Sequence, residues 1–304
     1  MRSRGEPGPA VTRGDGGQIC VGIATRGRPQ LLGAIVDLVR QQTLPPTRLI
    51  IACTSPADVA PLAAAADLHI VEGPPGLARQ RNAILDRLPR GTEFVAFLDD
   101  DFVPHRDWLR SVVEAFRADP ALACVTGNVI ADGINGPGLA IDDALRLIER
   151  TSPPGQRGVI EGYSPYGCNM AFRWSAIQSL RFDERLVLYG WLEDKDFGAR
   201  VAQRCGRLVK LGSAIGVHLG SKTGRVSGRR LGYSQVMNPY YMHRKGTMTA
   251  PDAARQVLRN VSANLAKSLA SEPYIDRRGR LSGNLMAVGD ILLGRCTPER
   301  AGQL

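Results

Sequence analysis

Short apolar runs alternate with helical apolar patterns over the N-terminal third of the chain, and this alternation constrains the fold most. Candidate buried strands cover residues 19–25, 49–53, 68–71 and 93–98. Between the first two, apolar residues recur every three or four positions from Leu31 to Val39, which is helical spacing. This alternation predicts an α/β domain with a mostly parallel sheet covered by helices on both faces. Ligands of such sheets bind at the carboxyl ends of the strands.

The pattern is looser in the rest of the chain. It predicts a helix over residues 108–116, a strand over 123–130, a loop over 133–138 and a helix over 193–205. The last element that we predict is a helix over 251–269. Residues 1–18 and 152–158 are rich in Gly and Pro, which indicates a flexible tail and a mobile surface connection. We therefore expect three parts: a tail (1–18), a main domain (19–220) and a basic, mainly helical C-terminal region (221–304).

The positive charge is concentrated in the C-terminal third. The 39 Lys+Arg and 29 Asp+Glu give a formal net charge of +10. Residues 1–200 hold 22 and 24 of these (22 − 24 = −2), and residues 201–304 hold 17 and 5 (17 − 5 = +12). A basic region suits nucleic acid, anionic lipid headgroups, a diphosphate ligand or an acidic polysaccharide. We predict no nucleic-acid partner, because no DNA- or RNA-binding motif is present and aromatic residues make up only 6%.

Composition also bears on location. No apolar run approaches the roughly 18 to 20 residues that a membrane-spanning helix needs. The N-terminal residues lack the apolar core of a signal peptide. The six cysteines stand singly, without a zinc-binding spacing, and so indicate reduced thiols. We therefore expect a cytoplasmic protein.

Three consecutive carboxylates, Asp99, Asp100 and Asp101, follow the apolar run at residues 93–98. Like charges crowded at the end of a buried strand are unfavourable unless a cation compensates them. Hard oxygen ligands suit Mg²⁺ or Mn²⁺ bound together with a diphosphate. The alternative is an acidic turn that caps a helix beginning near Arg106.

A second acidic pair, Glu193 and Asp194, precedes a helical apolar run. A carboxylate at a helix start, partly desolvated by Trp191 and Phe197, can act as a general base. The alternative is again helix capping. A metal-diphosphate site together with a positioned base would form a coherent group-transfer site.

Five segments together resemble the family-2 glycosyltransferases of the GT-A fold, which are inverting enzymes that use nucleotide-diphosphate sugars. The resemblance covers residues 19–218. Its segments occur in the family's order, at residues 25–29, 76–82, 99–101, 167–173 and 193–194. The resemblance implies a Rossmann-like sheet and a role in polysaccharide or glycoconjugate biosynthesis, with a sugar or lipid-linked glycan as acceptor.

The resemblance also implies roles for single residues. Asp101 would ligate Mn²⁺ or Mg²⁺, Asp99 would contact the donor ribose or metal-bound water, and Asp194, beside Glu193, would be the catalytic base. His218 lies where many such enzymes place a third metal ligand, although a loop histidine is the open alternative. The donor-binding residues would be Thr25, Arg26, Arg28, Thr54, Arg79, Arg81, Asn82, Asp99, Asp100, Lys222 and Arg225, and a solvated basic loop is the open alternative for Lys222 and Arg225. The acceptor would contact Asn169, Tyr189 and Trp191. Aromatic rings commonly stack on sugar faces, and core packing is the open alternative for Tyr189 and Trp191.

One departure from the family concerns the nucleotide base. Many members carry an acidic residue just after the second strand that reads uracil, whereas residues 51–56 here contain none. UDP-, GDP- and dTDP-sugars therefore all remain candidate donors. A non-catalytic sugar-nucleotide-binding module and a nucleotidyltransferase of related fold are alternative functions. Retention of both carboxylate groups disfavours the module, and the short loop at residues 26–28 disfavours the nucleotidyltransferase.

The predicted C-terminal helix has one apolar face. It consists of Ala254, Leu258, Val261, Leu265 and Leu269. We expect this face to brace the main domain. The alternative is that the basic region holds the enzyme at the inner face of a membrane as a peripheral protein.

Overall fold

The structure is a computed structural model that describes residues 18–60, 62–151, 158–204, 206–222, 227–269 and 273–304. The predicted tail (apart from Gln18), the predicted connection (apart from Gly158) and Arg225 lie outside the described residues. The described residues form a large sheet with helices on both sides, followed by a group of helices. Among them, no helix combines the length and the apolar character that a membrane-spanning segment needs.

The strands, in chain order, are β1 (Ile19–Ala24), β2 (Arg48–Cys53), β3 (Leu68–Glu72), β4 (Phe94–Asp99), β5 (Phe102–Pro104), β6 (Leu122–Asp132), β7 (Val159–Glu161), β8 (Asn169–Arg173) and β9 (Arg207–His218). The α-helices are α1 (Pro29–Arg40), α2 (Leu77–Leu85), α3 (Trp108–Ala118), α4 (Ile141–Glu149), α5 (Trp174–Ile177), α6 (Glu193–Arg204), α7 (Gly228–Lys245), α8 (Ala250–Lys267) and α9 (Arg277–Leu292). Short 3₁₀ turns cover Pro56–Val59, Gly133–Asn135 and Pro298–Gln303.

The sheet has a parallel half and a mixed half. Its strand order is β3-β2-β1-β4-β8-β6-β9-β5, and β7 pairs with β9. The first four strands are parallel, as predicted. In the other half β8 runs antiparallel to β4 and β6, while β9 runs parallel to β6. Ala24 is in register with both Ala52 and Asp99, so the loops after β1, β2 and β4 open at one edge.

Both faces of the parallel half are buried. Ile19, Val21 and Ile23 of β1 pack in the core under α1 and α3. Ile50 and Ala52 of β2 point to the other side, where the core includes residues of α2 and α6. Burial of both faces explains why these strands are continuous apolar runs rather than alternating ones.

The C-terminal region contains two helices that the sequence analysis did not predict, α7 and α9. Pro239 and several glycines interrupt the helical pattern of α7. The two helices cross closely: a Cβ at Gly232 would lie 2.0 Å from the Arg280 carbonyl oxygen, and one at Gly283 would lie 2.0 Å from that of Arg229. The residues that hide the pattern are therefore the ones that allow the contact.

The expectation for the apolar face of the helix predicted over 251–269 was wrong for its leucines, although Val261 packs against the core of the helical region. The leucines are exposed: Leu258 by 66%, Leu265 by 58% and, after the end of α8, Leu269 by 89%. The buried residues of α8 are Ala253, Gln256, Asn260 and Asn264. The Asn264 amide nitrogen donates to side-chain oxygens of Gln235 on α7 and Asn284 on α9, both at 2.9 Å. Buried amides need such partners, so the polar side of α8 faces inward.

Helix α7 joins the C-terminal helices to the sheet domain. The Lys245 ammonium group lies 2.8 Å from Asp196 of α6 and also pairs with Asp183. The Thr247 hydroxyl donates to Asp196 at 2.7 Å, and the Asn238 amide donates to the Trp191 carbonyl oxygen at 2.8 Å. These bonds hold the C-terminal helices against the helix that carries the predicted base.

Candidate active site

The acidic triplet lies at the carboxyl edge of the parallel half. The Thr25 hydroxyl, just after β1, donates to Asp100 Oδ2 at 2.7 Å. Arg28 Nη1 donates to Asp100 Oδ1 at 2.8 Å and lies 3.3 Å from Asp101 Oδ2. Burial raises the pKa of Asp100 to about 6 despite these contacts. Asp100 therefore ties the loop after β1 to the triplet.

Asp99, Asp101 and His218 form a possible metal site. Each offers one ligand atom, and these atoms lie within 4.8 Å of one another. Asp101 Oδ1 is 3.4 Å from His218 Nε2, and Asp101 Oδ2 accepts a bond from the Ser221 amide at 2.8 Å. Burial raises the pKa of Asp99, although the Arg81 guanidinium beside it acts in the opposite direction. Two carboxylates and one imidazole fit Mn²⁺ or Mg²⁺.

His218 is oriented by residues that the sequence analysis missed. In the β6–β9 pairing, Asp132 is the register partner of His218, and its Oδ1 is 3.0 Å from Nδ1. The Tyr166 hydroxyl donates to the other Asp132 oxygen at 2.8 Å. Burial opposes a charged imidazole, but hydrogen bonds to Asp101 and Asp132 outweigh it and raise the pKa of His218 to about 10. The Asp132 contact turns Nε2 toward the cluster, as carboxylates behind metal-binding histidines do.

Arg81, which was predicted to contact the nucleotide-sugar donor, is buried and bonded to several residues of the protein. Its side chain is 2% exposed and forms an ion pair with Glu193. Arg81 Nη2 also donates to Asp99 Oδ1 at 3.1 Å and to the Gly167 carbonyl oxygen at 2.7 Å. Burial raises the pKa of Glu193 to about 8, against the opposing effect of Arg81. The guanidinium thus fixes the relative positions of the triplet, residue 167 and the start of α6.

The structure separates the two acidic residues at the start of α6. Glu193 is buried against Arg81, whereas Asp194 is half-buried. The Gly167 amide donates to Asp194 Oδ2 at 2.8 Å, and the Lys195 amide donates to Oδ1 at 2.8 Å. The peptide groups of Gly167 therefore join Arg81 on one side to Asp194 on the other. Of the two carboxylates, Asp194 is the more exposed.

The loop before α6 is strained. Leu188 (φ 62°) and Leu192 (φ 71°) are the non-glycine residues with positive φ in the described part of the chain, and Gly190 between them has φ 61°. Such strain persists only where the surroundings impose it, and it is frequent at functional sites. Tyr189 is 45% exposed and Trp191 is half-buried. The loop thus presents Tyr189 at the surface next to the carboxylates of α6.

Asn169 lies inside the sheet. It is in register with Leu98 of β4 and is 0% exposed. Its amide nitrogen and oxygen have no hydrogen-bond partner among the residues that the structure describes. Contact with an acceptor would require these atoms to become accessible.

Two residues from the second resembling segment have structural contacts. The Asn82 amide donates to the Phe182 carbonyl oxygen at 3.0 Å and to Glu184 Oε1 at 2.9 Å, and its oxygen accepts from the Phe182 amide at 2.7 Å. Arg79 is exposed and lies 3.5 Å from Glu184. A donor contact by Asn82 would have to break these bonds.

Two predicted diphosphate contacts lie farther along the chain. The Lys222 ammonium group donates to the carbonyl oxygens of Gly133 and Ile134 at 2.9 and 3.0 Å. It therefore ties the segment after β9 to the 3₁₀ turn after β6. Arg26 is exposed beside the loop edge, and Arg225 lies outside the described residues.

An acidic residue does follow β2, but it lies beyond residues 51–56, where family members carry the residue that reads uracil. Asp58 is 5% exposed, and its carboxylate accepts bonds from the amides of Gly27, Thr54 and Ser55 and from the Thr54 hydroxyl, at 2.7 to 3.0 Å. It therefore joins the loops after β1 and β2. The spacing from Ser55 to Asp58 is that of a capping box, a signal that the sequence analysis did not use.

Comparisons with known proteins identify the family and the fold. The model of the family described as "Glycosyl transferase family 2" matches residues 20–180, which is more than half of the chain. The mannosyltransferase PcManGT from Pyrobaculum calidifontis, solved with GDP-Man and Mn²⁺, is 18% identical with a TM-score of 0.55, over 94% of this chain and 82% of its own. S. aureus TarS 1-349, solved with UDP-GlcNAc, is 14% identical with a TM-score of 0.57, over 94% of this chain and 83% of its own. A comparison with curated protein sequences finds no match.

Proposed function

Since the chain belongs to glycosyl transferase family 2 and is a glycosyltransferase, we propose that it moves a sugar from a nucleotide-diphosphate donor to an acceptor hydroxyl with inversion. The strongest support is the cluster of Asp99, Asp101 and His218, whose ligand atoms lie within 4.8 Å of one another. The Gly167 peptide groups link this cluster, through Arg81, to the half-buried Asp194. A cation site and a general base at one edge are the two groups that such a transfer needs.

Asp194 is the proposed general base. Its carboxylate is held by two backbone amides, which keep it in one orientation. It accepts the proton of the acceptor hydroxyl as the oxygen attacks the anomeric carbon and the bond to the diphosphate breaks. Attack on the side opposite the leaving group inverts the configuration. Glu193 takes no direct part, because it is buried against Arg81.

Asp99, Asp101 and His218 would hold Mn²⁺ or Mg²⁺, which supplies compensation for the charge of the leaving diphosphate. The role of Asp132 is to keep the imidazole Nε2 turned toward the carboxylates. Thr25 and Arg28 position Asp100 and line the loop where we place the nucleoside.

The donor is proposed only as a class. The two solved relatives bind GDP-Man and UDP-GlcNAc, which supports a nucleoside-diphosphate sugar. The Asp58 carboxylate is occupied by loop amides, so we keep UDP-, GDP- and dTDP-sugars as candidates. A sugar or lipid-linked glycan remains the proposed acceptor, contacted first by the exposed Tyr189.

The test measures nucleoside diphosphate release from UDP-, GDP- and dTDP-sugars by the full chain. We expect release from one donor class with Mn²⁺ or Mg²⁺ and its loss in excess chelator. Asp101→Asn should remove metal dependence together with activity. Asp143→Asn is the matched control, because that carboxylate is exposed on α4 and contacts Arg146. Activity that is unchanged in chelator would contradict the metal assignment.

A further inference from the structure

Helices α8 and α9 and the turn that follows α8 expose large apolar side chains. On α8 and in the turn after it these are Leu258, Leu265 and Leu269, exposed by 66, 58 and 89%. On α9 they are Leu285, Val288 and Leu292, exposed by 65, 39 and 82%. We call these six residues the leucine face. Large exposed apolar surfaces are frequent at interaction sites.

The six residues lie on one side of the helical group. Within each helix their spacing of three, four, seven or eleven places them on one stripe. The opposite side of α8 contacts α7 through Asn260, and the opposite side of α9 contacts it through Gly283. Helices α8 and α9 touch each other where Asn264 meets Asn284. Both stripes therefore point away from α7 and flank the contact between α8 and α9.

Basic residues outnumber acidic ones in and between α8 and α9. Residues 250–292 hold Arg255, Arg259, Lys267, Arg277, Arg278 and Arg280 against Asp252, Glu272, Asp276 and Asp290. Asp252 pairs with Arg255, and Asp290 is buried and pairs with Arg295 and Arg300. An apolar stripe bordered by Arg and Lys is the pattern of helices that lie in the interface of a membrane. Anionic lipid headgroups attract such a border, while the leucines enter the acyl boundary.

Two other occupants fit the leucine face less well. A second copy of the chain would bring two surfaces with an excess of basic residues together, and like charges at an interface are unfavourable. The second candidate occupant is the segment of residues 1–17, which lies outside the described residues. Met1 and Val11 are its only large apolar residues. That segment also carries three Arg against one Glu and one Asp, so it does not complement a basic border.

We propose that the leucine face docks on the surface of a bilayer that contains anionic lipids. Lys245 of α7 binds Asp196, two residues after Asp194, and residues of α8 line one cavity together with residues of α6. Docking would therefore hold the start of α6 in a fixed relation to the bilayer. If the proposed transfer is correct, this arrangement favours an acceptor whose sugar is attached to a lipid.

The experiment measures flotation of the full chain with vesicles. Phosphatidylcholine vesicles are compared with vesicles that also contain about 30 mol % phosphatidylglycerol, at low and high salt. We expect binding to the anionic vesicles, weak binding to the neutral ones and weakening by salt. The double variant Leu269→Ser/Leu292→Ser should lower the affinity for the anionic vesicles by at least about tenfold. Arg259→Gln/Arg278→Gln should lower binding to anionic vesicles only.

Ile160→Ser is the matched control, because Ile160 is 54% exposed on β7, away from the leucine face. Its vesicle binding should equal that of the unchanged chain. Equal binding by the leucine variant would overturn the proposal. The proposal would also be overturned if the unchanged chain did not bind vesicles but formed a dimer that the leucine variant does not form. A second copy of the chain would then cover the face.

Donor hydrolysis without vesicles separates the two proposals. None of the substituted residues contacts the candidate active site, so all variants should release nucleoside diphosphate at the unchanged rate. Loss of vesicle binding with intact hydrolysis supports the docking surface by itself. Vesicle binding by a chain that hydrolyses no donor would contradict the proposed transfer and leave the docking proposal supported.

Discussion

Helices α3 and α8 have similar amphipathic patterns and opposite surroundings. The apolar face of α3, which includes Leu109, Val112 and Phe116, is at most 1% exposed. The corresponding face of α8 carries Leu258 and Leu265, which are more than half exposed. Periodicity therefore determines which side chains share a face, but not what covers that face.

The difference comes from the neighbours of each helix. Helix α3 packs on β6 and β9, whose facing side chains are apolar. Helix α8 packs on α7 and α9, whose facing groups include the amides of Gln235 and Asn284. The apolar face of α3 is buried in the core of the sheet domain, whereas α8 buries amides beside a small apolar core and exposes its leucines.

The largest expected effect belongs to the half-buried carboxylate of the sheet domain. Asp194→Asn should lower transfer by about 10² to 10⁴-fold, because the amide cannot accept the acceptor proton. Donor affinity, measured by calorimetry with Mn²⁺, should change little. The exposed Asp143→Asn should keep full activity. If Asp194→Asn turned over as fast as the unchanged chain, Asp194 would not be the general base.

The second prediction concerns the effect of the buried Arg81–Glu193 ion pair on the free energy of unfolding. Arg81→Met leaves Glu193 without its guanidinium partner and should lower the free energy of unfolding by about 3 to 5 kcal/mol. Arg79→Met, two residues earlier on α2, removes an exposed ion pair and should cost less than about 1 kcal/mol. Urea unfolding followed by circular dichroism measures both values. If both variants lowered the free energy of unfolding by similar amounts, the buried Arg81–Glu193 pair would stabilise the protein no more than an exposed ion pair does.

A direct test of the contrast compares one leucine from each helix. Leu109→Ala should lower the free energy of unfolding by about 2 to 5 kcal/mol, because it leaves a cavity in the core. Leu265→Ala should change it by less than about 0.5 kcal/mol, since the side chain is 58% exposed. A large loss for Leu265→Ala would show that this face is covered in solution.

The smallest effect concerns the residue behind the histidine. Asp132→Asn should weaken Mn²⁺ binding by about 10 to 100-fold, because the imidazole loses the carboxylate that orients it. Isothermal titration with Mn²⁺ measures the affinity, and the unfolding midpoint serves as control. Glu161→Gln, on the exposed strand β7, should leave the affinity unchanged. If both variants bind Mn²⁺ equally well, the Asp132 carboxylate is not what orients His218.

Much of the sheet domain is accessible to sequence reasoning. The strands β1, β2, β3 and β4 and the helices α3 and α6 lie where the apolar patterns predict them. The Asp99 to Asp101 triplet and His218 do come together, as the resemblance implies. Asp132 escaped prediction because its partner stands 86 residues away in the chain, across a strand pairing that no local pattern encodes.

The helical region shows the opposite outcome. Helix α7 was missed because its glycines and Pro239 lower helical propensity, although Gly232 is what admits α9. Within the sheet domain, too, side-chain contacts were not predictable: the resemblance placed Arg81 and Asn82 near the donor, whereas the structure engages Arg81 with Asp99 and Glu193, and Asn82 with Phe182 and Glu184. Side-chain direction depends on which elements meet, and this information is not local.

By itself, the sequence determined the strand–helix alternation, the acidic residues at the strand and helix ends, and the charge asymmetry between the two parts of the chain. These follow from local periodicity and composition. Only the tertiary structure decided that Glu193 is buried with Arg81 while Asp194 stays accessible, and that the leucines of α8 face outward. The reason is physical: burial and pairing depend on which distant surfaces pack together, and buried amides and ions must find partners there before apolar groups are covered.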